Sequence, residues 1–374
     1  MKNPEFDDLR PYYDEEINPA MCRIADSEYF SAISAFVYPG RDVEELKKMI
    51  CQYTTIAEFQ YQVMKAFDEQ VIARTIRRFS YEGLENLNKE KSYLFVSNHR
   101  DIVLDSSLLQ YAFYLSEFRT SEITFGSNLM ISQLIIDIGK SNKMFKVIRG
   151  GNARDFYTNS LHLSRYIYHT IIENGESVWI AQRNGRTKNG IDATDQAIIK
   201  LFYMSHSDNP AKTLAALNIV PVSISYQWEP CDALKALELY RSRTEKYIKQ
   251  PGEDLHSVLT GITQYKGDVH ITVGNPLSEN DLNPLMGLPN NQFNKGVALL
   301  IDNQVRKNYK LTCNNYIAHD IRSQSEQYAS HYTSEEKEKF MQYCQNALPS
   351  EIEDKKYFED IFLGIYANSV SIYK

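Results

Sequence analysis

The chain has 374 residues, 43% of them hydrophobic and 24% charged, and a formal net charge of −7. Such a composition is that of a soluble globular protein with room for a large core, and an acidic chain lacks the basic face that nucleic-acid binding needs. No window holds the about 20 consecutive apolar residues of a spanning helix, so any membrane contact is expected to be peripheral.

The opening "MKNPEFDDLRPYYDEE" is acidic and has no apolar h-region, which predicts no secretory signal and a cytoplasmic protein. Up to about residue 78, "VEELKKMI" and "IAEFQYQVMKAFDEQVIARTI" place apolar residues three and four apart, the spacing of amphipathic helices. Residues 1–78 are read as an N-terminal helical region.

From about Phe79 the period changes. "YLFV" (93–96), "EITF" (122–125), "FKVI" (145–148), "SVWIA" (177–181), "IVPVSIS" (219–225) and "VHITV" (269–273) are short runs rich in β-branched and aromatic residues. Helix-patterned stretches lie between most of them, among them "DFYTNSLHLSRYIYHTIIENG", which ends on glycine. The fold class expected for residues 79–276 is therefore α/β, a mostly parallel sheet flanked by helices with functional groups at the carboxyl ends of its strands. Residues 277–374 turn helical again ("NQFNKGVALLIDNQVRKNY", "SEEKEKFMQYCQNAL") and form a C-terminal helical extension.

His99 falls at one such strand end, in "SNHRDIVLDS", with Asp101 and Asp105 close behind it. A neutral imidazole takes up a hydroxyl proton near neutral pH, and a carboxylate on its far nitrogen fixes the tautomer and stabilises the imidazolium. Either aspartate is a candidate for that carboxylate. Two further strand ends open into glycine-containing, arginine-bearing loops: "RGGNARD" (149–155) with Arg149 and Arg154, and "QRNGRTKNG" (182–190) with Arg183, Arg186 and Lys188. Glycines admit a close backbone approach and guanidinium forks bind phosphate oxygens in pairs, so these loops suit an anionic group. With no GxSxG elbow, direct attack by a bound hydroxyl is simpler than a covalent enzyme intermediate.

"NLMISQLIIDIGK" (128–140) is apolar around most of its circumference, which fits either a core helix or an acyl groove or membrane-dipping helix; Lys140, Lys143, Lys146, Arg149 and Arg154 follow it. Those cations suit anionic lipid headgroups or the acidic face of an acyl carrier protein. Cys22, Cys51, Cys231, Cys313 and Cys344 are scattered without CxxC spacing, and the histidines show no ligand spacing with carboxylates. They are read as buried thiols, and no metal or cofactor is expected.

"NHRDIVLD", "FKVIRGG", "QRNGRTKNG" and "IVPVSISY", in that order over residues 80–275, resemble the four motif blocks of the glycerolipid acyltransferases, the glycerol-phosphate and lysophosphatidate acyltransferase superfamily. The resemblance implies transfer of a fatty acyl group from acyl-CoA or acyl carrier protein to the hydroxyl of a lipid acceptor, on a peripheral membrane surface at the inner face of the membrane. It makes His99 the base and Asp105 its orienter, with Asp101 competing because five residues, not the family's four, separate His99 from Asp105. It puts Asn98, Arg100, Arg149, Arg183, Asn184, Gly185 and Arg186 at the substrate, and Pro221 on the strand beside it. The third block here reads Asn184–Gly185–Arg186, without the family's glutamate, which keeps open a lyso-aminolipid acceptor or a noncatalytic lipid- or acyl-carrier-binding relative.

Overall fold

The computed structural model describes residues 3–148, 150–244, 247–350 and 352–373. Seven strands form one sheet: β1 (Ile76–Glu82), β2 (Leu94–Ser97), β3 (Glu122–Gly126), β4 (Met144–Val147), β5 (Val178–Ala181), β6 (Ile219–Tyr226) and β7 (Gly267–Val273), in the order β1-β7-β6-β2-β5-β3-β4. Every neighbouring pair is parallel except β6 with β7. Helices cover both faces, so the chain has an α/β fold.

Side-chain alternation divides the sheet between two cores. Leu94, Val96, Val178 and Ile180 face one of them, with the helices Ala153–Tyr168, Gln196–Tyr203 and Asn290–Asn308. Phe95, Trp179, Val220 and Val222 face the other, with the helix Leu104–Leu115. A third cluster joins Trp228 to Phe340, Phe358, Phe362 and Tyr366 in the last helices, and a fourth holds the N-terminal helices together.

Three expectations change. β1 was not foreseen: the predicted helix running to Ile76 stops at Thr75, and a strand with a largely exposed burial pattern follows. Its Arg77 and Arg78 interrupt the apolar signal because β1 is an edge strand, where charged residues are tolerated and useful. The 128–140 run is broken after Leu129, and its helix begins at Gln133, capped by Ser132 Oγ accepting from Ile135 N at 3.3 Å. Leu134 and Ile138 pack into the N-terminal cluster, so this helix has the core role. Of the five cysteines only Cys231 is buried; the other four are half-buried, and all are free thiols.

Pro221 lies inside β6, where a missing N–H normally costs a ladder bond. Pairing of β6 with β7 covers only Val222 to Tyr226, and Gly274 N, just past β7, donates to Pro221 O at 2.8 Å. Among the described residues no helix is long and apolar enough to cross a membrane.

Candidate active site

Parallel pairing brings the carboxyl ends of β2, β5, β3 and β4 to one edge, with Ser97 level with Ala181 and with Val222. β6 runs four residues further, and the Asn98 side chain extends β2 along it. Asn98 Nδ2 donates to Ile224 O at 3.0 Å and Asn98 Oδ1 accepts from Ile224 N at 2.8 Å, so a side-chain amide does what a peptide would. The main chain is thereby released to turn, and His99 is the first residue outside the ladder.

His99 Nδ1 lies 3.0 Å from Asp105 Oδ2. The same oxygen accepts from Arg100 N at 2.6 Å and Asp101 N at 2.9 Å, while Asp105 Oδ1 accepts from Tyr226 OH at 2.9 Å. Asp105 is fully buried in the first turn of the helix Leu104–Leu115, where the helix dipole favours negative charge. A carboxylate only accepts, so the ring proton belongs on Nδ1 and the Nε2 lone pair is left free. Nε2 has no hydrogen-bond partner among the described residues, and the His99 side chain retains 12% exposure. Trp179 meets the ring edge-on at 6.2 Å between centroids, and Thr187 N, from the 182–190 loop, donates to His99 O at 2.6 Å.

Asp101 does not pair with the ring. Its Oδ1 accepts from Val103 N at 2.9 Å and Leu104 N at 2.8 Å, capping the helix that carries Asp105. Its Oδ2 is buried without a hydrogen-bond partner and points at Gly261 in the helix Glu253–Thr263, where an added Cβ would sit 2.1 Å from that oxygen. Lys266 supplies the nearby positive charge; burial lowers its ammonium to about 8, against the Asp101 charge that raises it. Gly261→Ala is therefore expected to displace Asp101 and, through its N–H, Asp105. The change should lower activity by more than Ala elsewhere on this helix, and Asp101→Ser, which keeps a capping hydroxyl but removes Oδ2, should restore it in the double variant. Assaying the two single variants and the double variant side by side tests this.

The expected substrate contacts divide. Asn98 and Arg100 are buried, and their polar groups are used inside the protein. Arg100 Nη2 donates to Asp192 Oδ2 at 2.7 Å and Nη1 to Glu229 Oε2 at 3.2 Å, and Lys235 Nζ donates to Glu229 Oε1 at 2.6 Å. Burial pushes the Asp192 carboxyl up, but Arg100, Thr187 and Asn98 together outweigh it and hold it below the usual carboxylate range. Asn184 is exposed, and Arg183, Gly185 and Arg186 are half-buried in the same loop. Arg186 reaches the neighbourhood of Asp101: burial and the Asp101 charge raise the Cys231 thiol, and Arg186 and Lys235 oppose them. Arg154 is exposed at the start of the helix Ala153–Tyr168, and Arg149 lies outside the described residues.

The 182–190 loop is fixed from behind by the last helix. Asn368 Nδ2 donates to Asn189 O at 2.9 Å and Ser369 Oγ to Gly190 O at 3.1 Å. Gly190 has φ +75° and a Cβ there would lie 2.1 Å from Ile365 O, so only glycine allows the contact. Asp192, Tyr226, Glu229, Lys235 and Gly261 were not singled out in the sequence. Two cavities, of about 240 and 410 Å³, lie elsewhere and neither includes His99. Among the described residues, no group of three or more His, Cys, Asp or Glu side chains is placed to hold a metal ion.

Fold and site together define an α/β protein with a buried carboxylate orienting a histidine at the carboxyl edge of its sheet. No family model matches the chain, and no curated protein matches it significantly. Among solved structures, the 1-acyl-sn-glycerophosphate (LPA) acyltransferase PlsC from Thermotoga maritima is similar at 14% identity, with a TM-score of 0.37 over 78% of this chain and 93% of that one. A likeness that distant says nothing of chemistry, which the side chains must supply.

Proposed function

We propose that this protein is an O-acyltransferase that moves a fatty acyl group from acyl-CoA or acyl carrier protein to a hydroxyl of a glycerol-phosphate or lysophospholipid acceptor. The observation that carries the reading is the His99–Asp105 pair, with the Nδ1 proton held by a buried carboxylate and the Nε2 lone pair unclaimed. In the reaction Nε2 takes the acceptor's hydroxyl proton as its oxygen attacks the thioester carbonyl. The C–S bond then breaks, and the proton passes to the departing thiolate. Asp105 stabilises the imidazolium that exists between those two transfers. Arg183 and Arg186, on the loop whose Thr187 N holds His99 O, are the cations proposed for the acceptor's phosphate, and Arg154 adds charge beyond the end of β4, two strands along the same edge.

Peripheral contact with a lipid surface is part of the proposal. Ile131 follows β3, Phe156 and Tyr157 follow β4, and Leu255 and Leu259 lie on the helix that packs Gly261 against Asp101; all five are exposed. Asn128 Nδ2 donates to Asp254 Oδ2 at 3.1 Å and joins two of these segments. Exposed large apolar side chains on segments that follow β3 and β4 are the candidate contact residues.

The test is transfer of labelled palmitate from palmitoyl-CoA and from palmitoyl acyl carrier protein, with glycerol 3-phosphate, lysophosphatidate or a lyso-aminolipid offered in mixed vesicles. Acylation of a phosphate-bearing acceptor is the expected result. Transfer to the lyso-aminolipid alone would move the acceptor to the second class, and no transfer to any of them would overturn the reading.

A further inference from the structure

Away from His99, alternation along β1, β7 and β6 turns Ser80, Glu82, His270, Thr272, Ser223 and Ser225 to one face of the sheet, opposite the apolar core that takes Val269, Ile271 and Ile224. A polar face near a sheet edge is ordinarily just solvated. This one differs in three respects. Ser80 and His270 stand directly opposite in the β1–β7 register, with Ser80 Oγ 2.8 Å from His270 Nδ1. His270 Nε2 lies 3.3 Å from Glu82 Oε1, which also accepts from Thr272 Oγ1 at 3.3 Å. Finally, Ser80 and the buried His270 line a cavity of about 240 Å³ with Arg77, Arg78 and Lys310.

We propose that Ser80, His270 and Glu82 form a second catalytic site, a serine nucleophile acting on short-chain esters that carry a negative charge. A hydroxyl within hydrogen-bond reach of a base that is itself held by a third group is the arrangement that activates serine. Glu82 accepts the Nε2 proton, so Nδ1 is the basic nitrogen facing Ser80; the two ring nitrogens exchange the places they have in the familiar triad without changing the chemistry. Ser80 Oγ attacks the ester carbonyl as its proton passes to Nδ1, and the C–O bond to the alcohol breaks as that proton moves to the leaving oxygen. Water then attacks the acyl-serine, giving its proton to Nδ1, and the acid is released as Ser80 takes the proton back.

The cavity sets the substrate class. At about 240 Å³ it is below the about 300 to 1,000 Å³ of drug-sized ligand sites, so it suits a short acyl group. Arg77 and Arg78 pair with Asp268 at 2.8 and 2.7 Å, leaving that trio with one net positive charge, and Lys310 offsets Glu336, so the lining keeps that one positive charge. Burial lowers His270 below the ordinary imidazole range, with Glu82 opposing and Lys310 and Arg78 reinforcing the shift, so the ring is a neutral base at pH 7.

The test uses the full-length protein and a biotinylated fluorophosphonate, with the modified peptide located by mass spectrometry. Ser80 is expected to be labelled, about a hundred-fold or more slowly in His270→Gln, and more slowly also in Glu82→Gln, whose exposed side chain leaves folding intact. The labelling rate should rise with pH and level off below the ordinary imidazole range, and 4-nitrophenyl hemisuccinate should be cleaved faster than 4-nitrophenyl acetate. Label absent from Ser80, or arriving there equally fast in His270→Gln, overturns the proposal. None of these measurements depends on acyl transfer at His99.

Discussion

His99→Ala is expected to slow acyl transfer by about a hundred-fold to ten-thousand-fold, the usual worth of a positioned general base, while leaving the protein folded. The ring makes one side-chain hydrogen bond and packs edge-on against Trp179, so its removal leaves a buried carboxylate that still accepts from Arg100 N, Asp101 N and Tyr226 OH. Asp105→Asn separates geometry from charge. An amide oxygen in the Oδ2 position keeps all three N–H donors, and its NH₂ faces Tyr226, whose hydroxyl is able to accept as well as donate. The imidazolium then loses its counter-charge but not its orientation, and the rate should fall between wild type and His99→Ala. Because the two groups act as one unit, the double variant should be no slower than His99→Ala alone. Retention of more than a tenth of the wild-type rate by His99→Ala, with unchanged thermal unfolding, would remove the histidine from the chemistry.

The elements that could be read from the sequence are those whose side chains report burial locally. β2 to β7 are short β-branched and aromatic runs, and each lies within two residues of its expected position. β1 could not be read this way, since an edge strand with Arg77 and Arg78 on it does not alternate cleanly. The antiparallel pairing of β6 with β7 was equally hidden, because a strand buried on both faces looks the same in either direction. At the site, His99 stood out by position, but the choice between Asp101 and Asp105 depended on which carboxylate the turn spends on capping. That is a three-dimensional fact: Asp101 Oδ1 caps the helix, and Asp105 is carried round to the ring. The internal partners of Arg100 were hidden for a similar reason. Its partners Asp192 and Glu229 lie 92 and 129 residues further along, and no local pattern pairs them.

Arg100→Met should destabilise the protein by about 3 to 5 kcal/mol at neutral pH, because breaking a buried ion pair strands the charge that remains. Arg100, Lys235, Asp192 and Glu229 form a balanced set of two cations and two anions, all nearly inaccessible to water. Methionine fills much of the volume but leaves two carboxylates facing one ammonium. The pH dependence has a definite sign. In the wild type Asp192 is held below the usual carboxylate range, so its stabilisation is present above that range and fades as pH falls through the depressed value. Without the guanidinium, the largest groups opposing burial are lost, the carboxyl rises, and the variant loses stability as pH rises instead. The gap between the two proteins should therefore widen from pH 4 to pH 7, which urea unfolding at several pH values will measure. A substrate-binding arginine behaves otherwise: its loss raises KM and leaves the unfolding curve in place. If Arg100→Met did that, the burial of this side chain in the protein's own charge network would be the wrong account of why it follows His99.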